Sequence, residues 1–340
     1  MIALSPARTL TIRQREIRWG YFFLSPWIIG FLCFSLFPMV ASLFLSFTNY
    51  SPDGTAYNWI GIDNYSRALG LEARPYADGQ APQEALTRGY DLIAEIGGYA
   101  IGARDPIFWK SLSVTISYAA LALPIGMIAG LLFAVLMNQK IPGIRLFRTI
   151  FYLPSVLPGV ATAVIFIYFL NRDGWLNSIL ESIGFQPLNW LNTPELALPT
   201  LVIISLWGVG GGMILYLAAF QGVPTELYEA AKVDGASLFI RFARITLPMI
   251  SPVIFFNLIM GLIGTFQYFG MSYILFGPTG GNDYSAYFYN MNLYRQAFSY
   301  LDMGYASALA WILLVIVVGI TLIVFKTSGQ WVFYAGGRER

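Results

Sequence analysis

Residues Glu229 to Pro248 read EAAKVDGASLFIRFARITLP. Five charges fall within them: Glu229, Lys232, Asp234, Arg241 and Arg244. On each side the chain turns apolar for about 20 residues or more, the length a helix needs to cross the hydrocarbon core of a bilayer. A charged island between two such runs is a loop joining membrane spans, and that reading decides the fold. Within it, Pro224, Thr225 and Glu226 suit a helix start. Asp234-Gly235 is a turn signal, because Gly accepts a positive φ. Two short helices are therefore expected, Glu226 to Val233 and Ala236 to Ile245. Ala230, Ala231 and Ala236 keep their profile low, so that another backbone can approach.

The whole chain agrees. Of 340 residues, 57% are hydrophobic and 11% charged, against about 25% charged in soluble domains. The formal net charge of +2 carries no nucleic-acid signal. There is no histidine, and Cys33 is the lone cysteine. Histidine-dependent hydrolysis is excluded, no disulfide framework exists, and no metal site is expected.

Six uncharged runs are read as transmembrane helices: Tyr21 to Phe47, Leu112 to Asn138, Thr149 to Leu170, Thr200 to Phe220, Met249 to Phe276 and Tyr305 to Phe325. Pro38, Pro124 and Pro158 sit inside them, which membrane helices tolerate. The first run is longer than a secretory signal core and is read as a retained span. Lys and Arg set the orientation. With both termini inside, thirteen of the twenty cations are cytoplasmic, and thirteen of the eighteen acids lie outside. The inner cations are Arg8, Arg13, Arg15, Arg18, Lys140, Arg145, Arg148, Lys232, Arg241, Arg244, Lys326, Arg338 and Arg340. The domain plan is a cytoplasmic segment 1–20, a six-span transmembrane domain 21–326 and a cytoplasmic tail 327–340. It includes an outer loop 48–111 and a charged inner loop 221–248. Within the outer loop Ala85, Leu86, Tyr90, Ile93 and Ala94 fall near helical spacing, predicting a short amphipathic helix.

Two spans carry groups suited to a polar, uncharged solute. In LWGVGGGMILY the candidates are Trp207, Gly208, Gly211 and Tyr216; close helix packing explains the glycines equally well. In NLIMGLIGTFQYFGMSY, Asn257, Met260, Gly264, Gln267 and Met271 recur at helical spacing, with Tyr268 beside them. The competing role for Gln267 is a hydrogen bond between helices. No cation lies in these spans, which favours a neutral solute over a phosphorylated one. Arg172 and Arg295 near the outer mouth are the exceptions to be placed. The chain lacks G-x-x-x-x-G-K-[ST], so it cannot itself hold ATP as a P-loop protein does. Absence of ionisable groups deep in the spans counts against the alternative of an ion-coupled secondary transporter.

The pattern E-A-A-x-x-D-G-A-x-x-x-x-x-F-x-x-I-x-L-P, from Glu229 to Pro248, resembles the EAA-loop signature of membrane subunits of binding-protein-dependent ABC importers. Without that likeness the segment would read as an amphipathic loop on anionic headgroups. WIGIDNYSRAL (59–69), GGNDYSAYFYNMNLYRQAF (280–298), GYASALAW (304–311) and SGQWVFYAGG (328–337) are similar to the first permease of maltose- and glycerol-phosphate-type systems. Roughly Leu71 to Arg104 is an insertion relative to short-loop relatives. The resemblance implies an all-α, six-span type I importer fold in a cytoplasmic membrane, without catalysis or cofactor. It implies that Glu229, Ala230, Ala231, Asp234, Gly235, Ala236 and Phe242 belong to coupling helices docking on an ATPase. It also implies sugar contacts in the fourth and fifth spans, among Trp207, Gly208, Gly211, Gly264, Gln267, Tyr268 and Met271. The expected partners are a second permease, two ATPase subunits, an extracytoplasmic binding protein and its sugar. A glycerol-phosphate solute is the alternative.

Overall fold

In the computed structural model the described residues are 11–55, 57–77, 79–139 and 141–333. Arg8, Lys140, Arg338, Arg340, Asp78, Glu339 and the YAGG half of the closing motif lie outside them.

Three helices are long and apolar enough to cross a membrane: Ile12–Leu45, Pro106–Met137 and Met303–Ser328. Among the described residues three bent pairs, each counted as one crossing, bring the number to six: Ile144–Val156 with Gly159–Ser182 (99°), Pro194–Trp207 with Gly210–Gln221 (49°) and Leu238–Met249 with Ser251–Phe266 (64°). Helices are the expected solution, because in lipid each backbone group must be satisfied within the segment. The breaks have local causes. Leu157 precedes Pro158 and is held extended at ψ 137°, as a residue before proline prefers. Thus Pro158, expected inside a straight span, divides it. The fourth span breaks at Gly208 and Val209, where the glycine run begins. The fifth bends at Ile250, between Pro248 and Pro252, each of which removes a backbone donor. It stops again at Gln267–Phe269 before a short helix, Gly270–Phe276, so Met271 leaves the face shared by Asn257, Met260 and Gly264.

Between the first and second spans the amphipathic helix is not found. Within residues 82–94 only Pro82–Ala85 is helical. Residues 91–96 are instead a strand, in a three-stranded antiparallel sheet of β1 (Leu71–Pro75), β2 (Asp91–Ile96) and β3 (Tyr99–Ala103), ordered β1-β3-β2. Gly97 and Gly98, at φ +58° and +82°, link Ile96 to Tyr99. Two left-handed residues make the tight hairpin turn that matches strand twist. The Gly-Gly turn overrides the helical spacing of Ala85 to Ala94.

The sheet's base is tied to the bundle. Asn64 donates to the carbonyls of Ser46 (2.9 Å) and Thr48 (2.8 Å). Arg67 meets Asp302 at 2.8 Å. A side chain at Gly304 would collide with the Thr48 carbonyl, so the last span approaches the first loop closely there. Loops from 48–105, 171–193 and 277–302 thus gather at one end of the bundle. The Glu229 segment lies at the other. Phe108, Tyr289, Tyr305 and Leu309 form a buried cluster toward the sheet end, and Met213, Phe220 and Ile250 one toward the Glu229 end.

Candidate functional site

The Glu229 segment folds as a helix, Thr225–Val233, a turn, and a second helix from Leu238 that runs on through a wide turn at Phe242–Thr246. Gly235 sits at φ +75°. Its N–H reaches the Lys232 carbonyl at 3.1 Å, and the Ala236 N–H reaches Ala231 at 2.9 Å. This pair of bonds is the Schellman termination, which uses a left-handed glycine after the last helical turn. Ser237 then caps the next helix by accepting from the Ile240 N–H.

Glu229, Ala230, Asp234 and Gly235 are exposed, and Ala231 and Ala236 half-buried. Phe242 faces the other way, against the core at this end. Val233, Leu238 and Phe239 are 88%, 78% and 78% exposed. Sequence reasoning passed over these three because they occupy free positions of the pattern; their signal is apolar character around a turn. Together they give the segment a bare apolar patch beside Glu229 and Asp234. The Tyr228 hydroxyl shares a hydrogen bond with Thr246 Oγ1 (2.8 Å), fixing the first helix to the foot of the fifth span.

Deeper in the bundle, a cavity of about 430 Å³ opens between the second, fourth and fifth spans. Its polar lining is Tyr118, Ser205, Tyr216, Asn257 and Thr265, with no charged residue. Asn257 Nδ2 is buried and has no hydrogen-bond partner, a state rare enough in folded proteins to need a reason. Small residues make the room: Gly126, Gly208, Gly212 and Gly261 all border it.

Of the candidates in the fourth and fifth spans, Gly208, Tyr216, Asn257 and Met260 line this cavity. Tyr268 stands behind it, its ring 4.5 Å from Tyr118 and 4.8 Å from Phe288. Trp207 packs edge-on against Phe166 at 5.8 Å. Gly211 faces Ser155, Gly264 and Gln267 are exposed outside the lining, and Met271 is half-buried against the core. The glycine run divides between both readings. Gly210 is pressed onto the backbone of Phe151 and Tyr152, whereas Gly212 borders the cavity. Tyr118, Ser205 and Thr265 were missed, since helices far apart in sequence bring them together.

Residues 108–333 match the profile of the family described as binding-protein-dependent transport system inner membrane component. The chain belongs to this family. Among its relatives is the probable ABC transporter permease protein YesP of Bacillus subtilis, 41% identical over 98% of this chain and 97% of that protein. The arabinooligosaccharides transport system permease protein AraP of the same species is 29% identical, covering 91% of this chain and 88% of that one. Among solved structures, a bacterial alginate ABC transporter in complex with an alginate pentasaccharide-bound periplasmic protein superposes with a TM-score of 0.72. It is 26% identical over 92% of this chain and 95% of that one. Our chain is thus a multi-pass membrane permease subunit of an ABC transporter, non-catalytic as such subunits are.

Proposed function

We propose that this permease forms half of the pathway by which a neutral saccharide or polyol enters the cell. The observation that carries the reading is the cavity with Asn257. A sugar hydroxyl accepts from the orphaned Nδ2, while Tyr118, Ser205, Tyr216 and Thr265 supply further neutral hydroxyls. Its volume falls within the ~300–1,000 Å³ of small-molecule sites. The arabinooligosaccharide relative and the alginate transporter support a saccharide. A glycerol phosphate would meet no cation here, and phosphate recognition calls for Arg or Lys.

In this reading the Glu229 end and both termini are cytoplasmic, and the sheet end faces outward. A second permease completes the pathway, and two ATPase subunits drive it. A loaded binding protein delivers the solute at the sheet end. Glu229, Ala230, Ala231, Asp234, Gly235 and Ala236, with Val233, Leu238 and Phe239, dock in the ATPase. Phe242 anchors the segment to the bundle rather than meeting the ATPase. Closure of the ATPase pair then pulls on the Tyr228–Thr246 bond and works the bend at Ile250, turning the cavity from inward to outward access.

Uptake of radiolabelled oligosaccharides by proteoliposomes holding the whole transporter tests this. Asn257→Leu is expected to raise the transport KM about tenfold, the scale of a lost hydrogen bond in a buried site, without loss of complex yield. An unchanged KM removes the cavity from the pathway.

A further inference from the structure

A second cavity, of about 250 Å³, lies at the sheet end, where the loop joining the last two spans meets the first outer loop and the start of the second span. Its free groups are donors. Tyr287 Oη and Asn292 Nδ2 are buried without partners, in side chains 0% and 1% exposed. Gln296 Nε2 donates to Asn292 Oδ1 at 3.5 Å, so the Asn292 oxygen is engaged while its N–H groups stay unpaired. Burial pushes the Tyr287 phenol up to about 12, so it holds its proton at neutral pH. The Arg295 guanidinium lies beside the hydroxyls of Tyr284 and Tyr287.

The acids around the chamber are already engaged. Asp302 takes Arg67 at 2.8 Å, and Asp63 takes Arg104 at 3.6 Å. Both oxygens of Asp105 are used, by the Phe108 N–H and the Tyr305 hydroxyl. Among the described residues no carboxylate comes within 4.0 Å of Arg295. A half-buried cation with buried spare donors matches a carboxylate, which accepts on both oxygens.

We infer that this chamber receives an Asp or Glu side chain of the solute-delivery protein as it docks. The inference rests on the proposed outward orientation of the sheet end. The chamber sits at the sheet's foot: Arg104 directly follows β3, and Arg67 lies in the helix just before β1. A protein landing on the sheet has its rim over Arg295. The solute itself is the poorer source of the carboxylate. An acidic sugar would leave Arg295 for a cavity with no cation, and a desolvated unpaired charge is costly.

The test uses the assembled transporter in lipid nanodiscs and the sugar-loaded binding protein of the same system. Arg295→Gln is expected to weaken docking about tenfold or more, as expected for one partner of a close charge pair. It should also flatten the salt dependence of docking. Arg295→Lys should recover part of the loss, and Tyr287→Phe should cost a few-fold. Excess glucuronate, but not glucose, should compete with the binding protein. Unchanged docking in Arg295→Gln, with docking intact in the wild type, overturns the inference alone. So does a variant that docks normally but loses uptake of a uronate-containing oligosaccharide while keeping that of a neutral one. A wild-type complex that binds no delivery protein overturns this inference and the outward orientation together.

Discussion

The Tyr228 hydroxyl and Thr246 Oγ1 lie 2.8 Å apart, across the angle between the exposed Thr225–Val233 helix and the first turn of the fifth span. Thr246 is buried and Tyr228 half-buried, so water competes poorly for the bond. In the proposed coupling it is the polar link through which movement of the exposed helix reaches the bend at Ile250. Tyr228→Phe removes it at a cost of ~1 kcal/mol. The complex should assemble, and the stimulation of ATP hydrolysis by loaded binding protein should fall. Stimulation measured beside complex yield checks this; full stimulation rules the bond out as the link.

Gly235→Val places a β-branched residue at φ +75°, a backbone region such residues almost never adopt. The Schellman bonds of Gly235 and Ala236 should open, and the two short helices should splay. Co-purification with the ATPase should drop, or hydrolysis and uptake should separate. Gly235→Asn, which tolerates the left-handed region, should retain most of both.

Val233, Leu238 and Phe239 stand bare at the end of the bundle that carries Glu229. Buried against a partner, such side chains contribute about 1.5–3 kcal/mol each. Leu238→Ser with Phe239→Ser is expected to weaken ATPase binding at least a hundredfold while the permease remains folded in membrane. Dissociation constants for the purified ATPase give the answer, and equal affinity discards the patch.

The sheet can be removed cleanly. Arg104 N–H bonds to the Gly70 carbonyl at 3.0 Å, and Leu71 pairs with Ala103, so the two ends of the insertion already meet. Replacing residues 71–103 by a short Gly-Ser turn should leave assembly intact and lower the docking rate of the binding protein. Charged surfaces steer encounter more than they add affinity. An unaltered rate would make the sheet a cap over the spans and nothing more.

Much of the fold was legible because its causes are local. Six apolar runs need a bilayer and must be helical within it, whatever their neighbours. Ten fixed positions from Glu229 to Pro248 carried the family. Gly235 announced its turn, since only its lack of Cβ makes φ +75° free of strain. Gly97-Gly98 signals a hairpin in the same way, and that turn chemistry prevails over the helical spacing in Ala85 to Ala94.

What the sequence by itself determined is the number of spans, the loop that joins the fourth and fifth, and the class of protein. Each follows from composition and spacing along one stretch of chain. Only the tertiary structure decided which polar groups meet. Tyr118, Ser205 and Asn257 belong to three helices, and their shared cavity depends on the rotation of each helix and on the breaks at Gly208 and Ile250. Gln267 has the right chemistry, yet it lies at a helix end outside the lining. Arg295, expected near the outer mouth, faces a separate chamber with Tyr287 and Asn292. Helix rotation and bending are set by packing between segments distant in sequence, and no periodicity within one helix records them.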